Sequence, residues 1–208
     1  MSSVTDYKVY VPPTYLEPDE IRAIINAIPL VSGHIERDIL LLETMWQTGG
    51  RVTEVLELVP KRIGENSLIL RNLKQKPSSP PYKEVYITSV LANRLKVYCQ
   101  KHSLKDEEYV FQPNRKSKGH LNRWYAWWII GKAAGEANIK RVNTRKGDFA
   151  WAWPHLFRHS CGMFILDQTG QTEMAQRQLG HARITTTQGY AVLKLEKSRK
   201  GLADLKWE

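Results

Sequence analysis

Apolar residues recur at helical spacing at Ile21, Ile24, Ile25 and Ile28, directly after Pro18-Asp19-Glu20. Proline and acids suit a first helical turn, where a missing N–H and negative charge are both tolerated. The spacing predicts a helix from there. A second helix is predicted over 35–48, with Ile39, Leu42, Met45 and Trp46 on one face and Gly49-Gly50 as its stop. A third, over about 52–58, carries Val55 and Leu58. The period then changes. Residues 67–71 (Ser-Leu-Ile-Leu-Arg) and 84–88 (Glu-Val-Tyr-Ile-Thr) read as strands, separated by a long loop holding Pro77, Pro80 and Pro81. Helical patterns return at about 89–101, 121–137, 155–168 and 171–179. The stretch 191–206 mixes cations with Leu193, Leu195, Leu202 and Leu205 and is predicted helical. Residues 1–13 have little pattern, end in Pro12-Pro13, and read as an arm or linker. No repeat or low-complexity segment is present. The pattern predicts a mostly α fold with one small antiparallel β-sheet.

Composition narrows the class. A chain of 208 residues makes one large or two small domains and can bury a core without disulfides. No apolar run approaches membrane-spanning length, and Met1-Ser2-Ser3-Val4-Thr5-Asp6 lacks the basic flank and apolar run of a secretory signal. Cys99 and Cys161 have no metal-ligand spacing and read as reduced thiols. Together these features lead us to expect a cytoplasmic protein. The net charge of +10 draws the chain to polyanions. The segments 114–118 and 140–146 hold no acid, so Arg115, Lys116, Lys118, Lys140, Arg141, Arg145 and Lys146 are candidate phosphate-backbone contacts. Neither cluster adjoins an apolar helical face, so a membrane surface is not the expected partner.

Candidate chemistry is scattered along the chain. Arg51 follows two glycines at the mouth of a helix, and Glu54, three residues on, shares its face and could orient it. His155 and Arg158 are also three apart, one above the other, just after Pro154. His159 offers another reading, since His155 and His159 at a spacing of four could hold a metal, but no nearby glutamate or cysteine completes a ligand set. His181 and Tyr190 close the series, nine residues apart. Trp124, Trp127 and Trp128 share one helix face and are predicted to pack in the core. Trp151 and Trp153 alternate, which suits a short extended segment that packs on the core or contacts DNA.

In order, the segments TGGRVTEVLEL, HLFRHS and LGHARITTTQGY resemble the active-site boxes of the tyrosine recombinase (phage integrase) family. Gly50 stands where the family more often has a bulkier residue, and Phe157 where leucine is common. The segment LKQKPSSPPYKEVYIT occupies the place of the family's lysine-bearing β-hairpin, but its loop is long and proline-rich rather than short and glycine-rich. The stretch 138–154 is also longer than usual.

The resemblance implies an enzyme that cuts and rejoins double-stranded DNA through a 3′-phosphotyrosyl bond. Arg51 and Arg158 would bracket the non-bridging oxygens of the scissile phosphate with fixed hydrogen bonds. His155 and His181 would add hydrogen bonds, and one of them would help take the proton of the nucleophile, Tyr190. A phenol has an ordinary pKa of about 10, so a cationic site favours its ionisation. Lys74 is the first candidate for protonating the leaving 5′ oxygen, with Lys76 and then Lys83 as alternatives. No cofactor and no metal is implied. The chain has no G-x-x-x-x-G-K-[ST] phosphate loop and no acidic cluster for Mg²⁺.

Residues 14–190 would form the catalytic domain, and 191–208 a helical tail that docks on a neighbouring subunit or packs on its own domain. The partners implied are a homotetramer on two DNA sites and an accessory DNA-bending protein, with the protein associated with the nucleoid. Most members carry a further N-terminal DNA-binding domain, for which the resemblance leaves no room; a naturally short recombinase and a fragment both stay open. The competing readings are a type IB topoisomerase, a non-catalytic DNA-binding regulator on the same fold, and a metal-dependent nuclease. A lysine typically matches His155 in the topoisomerases, which favours the recombinase.

Overall fold

Pro18 sits in the first turn of α1 (Pro18–Asn26), and the Glu17 N–H donates to the Glu20 carboxylate at 2.9 Å. This satisfies one of the donors that a helix start leaves without a partner. The computed structural model describes residues 14–73, 80–114, 117–142 and 149–180. After α1 the chain makes a short second helix, α2 (Ile28–Val31), which sequence pattern alone had merged with the first. Ile21, Ile24, Ile25 and Ile28 are all buried, so the predicted face is the one that enters the core.

α3 (Ile35–Thr48) runs through the middle of the molecule, packed against α7 (Pro154–Thr169) on one side and α5 (Ser89–Lys101) on another. Its core side chains, Leu40, Leu41, Leu42 and Met45, are excluded from water, each contributing about 1.5–3 kcal/mol of burial free energy. The helix ends at Gly49, whose φ of 56° is left-handed, and the Gly49 N–H caps the Met45 carbonyl. α4 (Val52–Leu56) starts three residues later. α6 (Arg123–Glu136) covers α1, α2 and α4, and α8 (Thr172–Leu179) lies on α7.

The described strands form two antiparallel pairs rather than the single sheet expected. The first joins β1 (Ser67–Arg71) to β2 (Tyr82–Tyr86), with Ser67 opposite Tyr86 and Arg71 opposite Tyr82. β2 therefore lies two residues earlier than the pattern at 84–88 suggested. The reason is Thr88, whose hydroxyl accepts from the Leu91 N–H and caps α5 instead of extending the strand. The second pair, β3 (Lys140–Val142) and β4 (Phe149–Trp151), falls in the long stretch before the histidine helix.

The expected core role of the tryptophans needs correction as well. Trp128 is half-buried against the core, but Trp124 and Trp127 are 65% and 54% exposed. The buried stripe of α6 is Ala126, Ile129, Ile130, Ala133 and Ala134, which leaves those two indoles outside it. Trp151 is exposed, and Trp153 is partly buried against the core.

Candidate active site

The Gly49-Gly50 turn fixes where Arg51 begins α4. A Cβ on Gly50 would stand 2.9 Å from Val55 Cγ2 and 3.0 Å from Leu70 Cδ1, so the bulkier residue expected at this place does not fit without repacking. Arg51 is the N-cap of α4, and its N–H donates to Glu54 Oε2 at 3.0 Å. Its guanidinium Nη1 donates back to Glu54 Oε1 at 2.7 Å. The acid three residues on thus holds Arg51 at both backbone and side chain, as the spacing indicated.

Glu54 has a second cation. Lys83 Nζ lies 2.9 Å from Glu54 Oε2, with the carboxylate fully buried and the lysine side chain 9% exposed. Burial pushes the Glu54 carboxyl up, but the Lys83 charge and the hydrogen bonds from Lys83 and Arg51 outweigh it and hold the group below its ordinary value. Burial lowers Lys83, Glu54 opposes this, and the nearby charges of Arg158 and Arg51 lower it further. Glu54 is therefore a firm carboxylate beneath the site.

Lys83, ranked last among the lysine candidates, is the hairpin lysine that the described residues bring to the site. Its Nζ also donates to the Leu179 carbonyl at 3.3 Å. The strand register contains a signal for this. Lys83 pairs with buried Leu70 and precedes buried Val85 by two, so it falls on the inward face. Starting the strand at 84 had left it in the loop. Lys74 and Lys76 lie outside the described residues.

α7 supplies the next two groups. Leu156 and Phe157 are fully buried and lock the helix onto the core, while His155 faces solvent with its ring edge-on to His159, centroids 4.6 Å apart. Phe157 fills the core at the position where leucine is common. Arg158 is 3% exposed, donating from Nη1 to the Gly49 carbonyl at 2.6 Å and from Nη2 to the Leu179 carbonyl at 2.8 Å. Leu179 is the last residue of α8, two before His181. It is set in place by Gln178, which sequence reasoning missed. The Gln178 amide donates to the carbonyls of Gln47 and Tyr86 and accepts from the Tyr86 N–H at 2.9 Å, bridging α3, β2 and α8.

These elements enclose one cavity of about 860 Å³ whose lining includes Arg51, Thr53, Leu73, Trp153, His155 and Arg158. No acid lines it. Among the described residues, the cluster beneath and around it sets three cations, Arg51, Lys83 and Arg158, against one carboxylate, Glu54. An excess of positive charge on a cavity of this kind is a receptor for an anion.

A family model described as phage integrase family matches residues 14–196. The chain belongs to the phage integrase family. Among its relatives, tyrosine recombinase XerA of Thermococcus onnurineus is 26% identical over 189 residues, and tyrosine recombinase XerD of Staphylococcus epidermidis is 28% identical over 197 residues. Each alignment takes in 90% of this chain and 61% of the relative, so the chain spans about three fifths of their length. The fold agrees with solved members of the phage integrase family. The catalytic domain of bacteriophage HP1 integrase matches with a TM-score of 0.61 at 19% identity, over 90% of this chain and 94% of that one. The XerA recombinase structure matches at 0.69 and 21% identity, over 95% and 68% of the respective chains.

His181, Tyr190, Arg115, Lys116, Arg145, Lys146 and the segment 191–208 lie outside the described residues. Lys118 is exposed. Lys140 places its ammonium 4.3 Å over the Trp151 ring. Arg141 turns inward, donating to the Tyr15 carbonyl at 3.0 Å and pairing with Glu20, so its guanidinium ties β3 to the start of α1. Among the described residues no group of three or more potential metal ligands occurs, and no helix is long and apolar enough to cross a membrane.

Proposed function

We propose that this chain is the catalytic part of a site-specific DNA recombinase that cuts and rejoins double-stranded DNA through Tyr190. The observation that carries the reading is the gathering of Arg51, His155 and Arg158, from separate parts of the chain, onto one cation-rich cavity. A phosphodiester develops negative charge on its non-bridging oxygens during displacement, and preorganised donors lower the barrier where that charge appears. Arg51, held by Glu54, reaches the phosphate from the start of α4, while Arg158 and His155 reach it from α7. The Tyr190 oxygen attacks phosphorus and its proton passes to a histidine. The bond to the 5′ oxygen breaks, and that oxygen takes a proton from a lysine. Running the steps in reverse with a different 5′-hydroxyl strand completes the exchange, and the covalent intermediate conserves the bond energy.

Of the lysines, we assign proton donation to Lys74, which follows β1 in the sequence. Lys83, tied to Glu54 and the Leu179 carbonyl, suits positioning better. Lys118 and the candidate cations outside the described residues would track the phosphate backbone. Assembly as a tetramer on two DNA sites, with an accessory DNA-bending protein, belongs to the same reading, as does a location at the nucleoid. An apolar groove of about 600 Å³ between α3, β2, α7 and α8, lined by Trp46, Ile87, Phe164 and Met174, suits the leucine-bearing segment 191–208 of a neighbouring subunit. Deleting the chain from Val192 onward should weaken assembly, followed by sedimentation on DNA, more than initial DNA binding. Equal loss of both would remove the docking role.

The reading is tested by mixing the protein with nicked suicide duplexes tiled across the DNA flanking its own gene and running a denaturing gel. A shifted band that Tyr190→Phe abolishes is expected. A band that survives this substitution would overturn the assignment.

A further inference from the structure

Trp124 and Trp127 stand one turn apart on the first half of α6, outside its buried stripe, with ring centroids 6.2 Å apart. Exposed aromatic surface of this size is costly in water, and these two indoles are not needed by the core, which takes Trp128 instead. Both line the cavity that holds Arg51, His155 and Arg158, and Arg123 stands beside them. At about 860 Å³ the cavity has room for a whole ligand, not just a phosphate group. The lining therefore combines cations with two exposed indoles.

That pairing matches a nucleotide, with its phosphate on the arginines and its base on the indoles. In an intact duplex the base faces are covered by their neighbours, and an indole could reach only sugars and base edges. A base released from the stack exposes a face, and an aromatic side chain can take it whatever its sequence. We propose that Trp124 and Trp127 form a stacking platform for an unpaired nucleobase next to the phosphate held by Arg51 and Arg158. This rests on the DNA-cleaving reading above and deepens it. Breaking the strand at that phosphate frees the adjoining nucleotide, and a platform at this rim keeps its base in place until rejoining.

The test uses two short fluorescently labelled duplexes of identical length, one fully paired and one with two opposed mismatches at its centre. Binding of the whole chain is followed by anisotropy at low salt, together with tryptophan emission. The wild type should bind the mismatched duplex more tightly, on the order of 10-fold, with stronger quenching. The double variant Trp124→Ala, Trp127→Ala should lose that preference while keeping its affinity for the paired duplex, and Trp→Phe at both positions should restore part of it. A wild type without the preference, or a double variant that retains it, would overturn the platform. So would an equal loss on both duplexes, which would mark ordinary groove packing. A double variant with lowered thermal stability and unchanged DNA binding would mean that the indoles pack against the chain's own residues 181–208, and would overturn it too. Failure to bind either duplex would remove the DNA reading itself, and the platform with it.

Discussion

Two buried charge clusters in this molecule use the same kinds of residue and do different things. In one, Asp38 accepts from Arg37 Nε at 2.8 Å and from the Tyr125 hydroxyl at 2.6 Å, while Arg37 also donates to the Gln112 and Pro113 carbonyls. Among the described residues one cation meets one carboxylate, both are almost wholly buried, and the donors run between α3, α6 and the 112–113 loop. Burial and the Asp38 carboxylate push the Tyr125 phenol up to about 12, so its proton stays in place as a fixed strut. In the other cluster Glu54 faces Arg51 and Lys83, with Arg158 close by, and the Arg51 side chain is 26% exposed. Charge balances in the first cluster and is left over, on a cavity wall, in the second. A buried ion pair alone does not single out a site; unbalanced charge opening onto a cavity makes a candidate for one.

Removing a partner from the balanced cluster should give the largest stability change. Asp38→Ala strands the Arg37 charge and should cost roughly 3–5 kcal/mol in urea unfolding. Protein that still folds should keep its DNA-cleavage rate; selective loss of cleavage without loss of stability would erase the distinction. Arg51→Lys acts the other way. It should leave the unfolding midpoint nearly unchanged and slow covalent adduct formation by about 10²- to 10³-fold, since an ammonium cannot reproduce the paired donors of a guanidinium.

Acid gives a subtler contrast. The Glu54 carboxyl is held below its ordinary value of 4.5, so its stabilisation is complete above that value and is lost as pH falls through the lower folded value. Lys83 is also lowered, so its burial costs stability at neutral pH and the cost fades only as pH rises into the alkaline range. Unfolding midpoints measured across acid pH should therefore fall more steeply for the wild type than for Glu54→Gln. Parallel curves would mean that Glu54 is not the group that senses acid.

Much of this was legible from periodicity. The face of Ile21, Ile24, Ile25 and Ile28 was readable because burial there follows a single helical period. In α3, by contrast, only Leu42 and Met45 of the expected face are buried. Ile39 and Trp46 are partly exposed, and Leu40 and Leu41 are buried as well because the helix is packed on more than one side. The spacing of Arg51 to Glu54 and of His155 to Arg158 was readable because neighbours on one helix face are fixed by sequence distance. Lys83 was hidden by a strand start placed two residues late, since an apolar Ile87 looked like strand while Thr88 was already a cap. Gln178 could not be read at all, because its partners Gln47 and Tyr86 are brought together only by tertiary packing. Trp124 and Trp127 misled because large aromatics usually belong to the core, and nothing local reveals that α6 buries its alanines and isoleucines instead.

The most direct test of the cation-rich cavity as a strand-cleaving site is to map the adduct. After reaction with a labelled suicide duplex, proteolysis and mass spectrometry should find the nucleotide on the peptide containing Tyr190, joined through a 3′ phosphate. An adduct on any other residue, or one joined through a 5′ phosphate, would contradict the account.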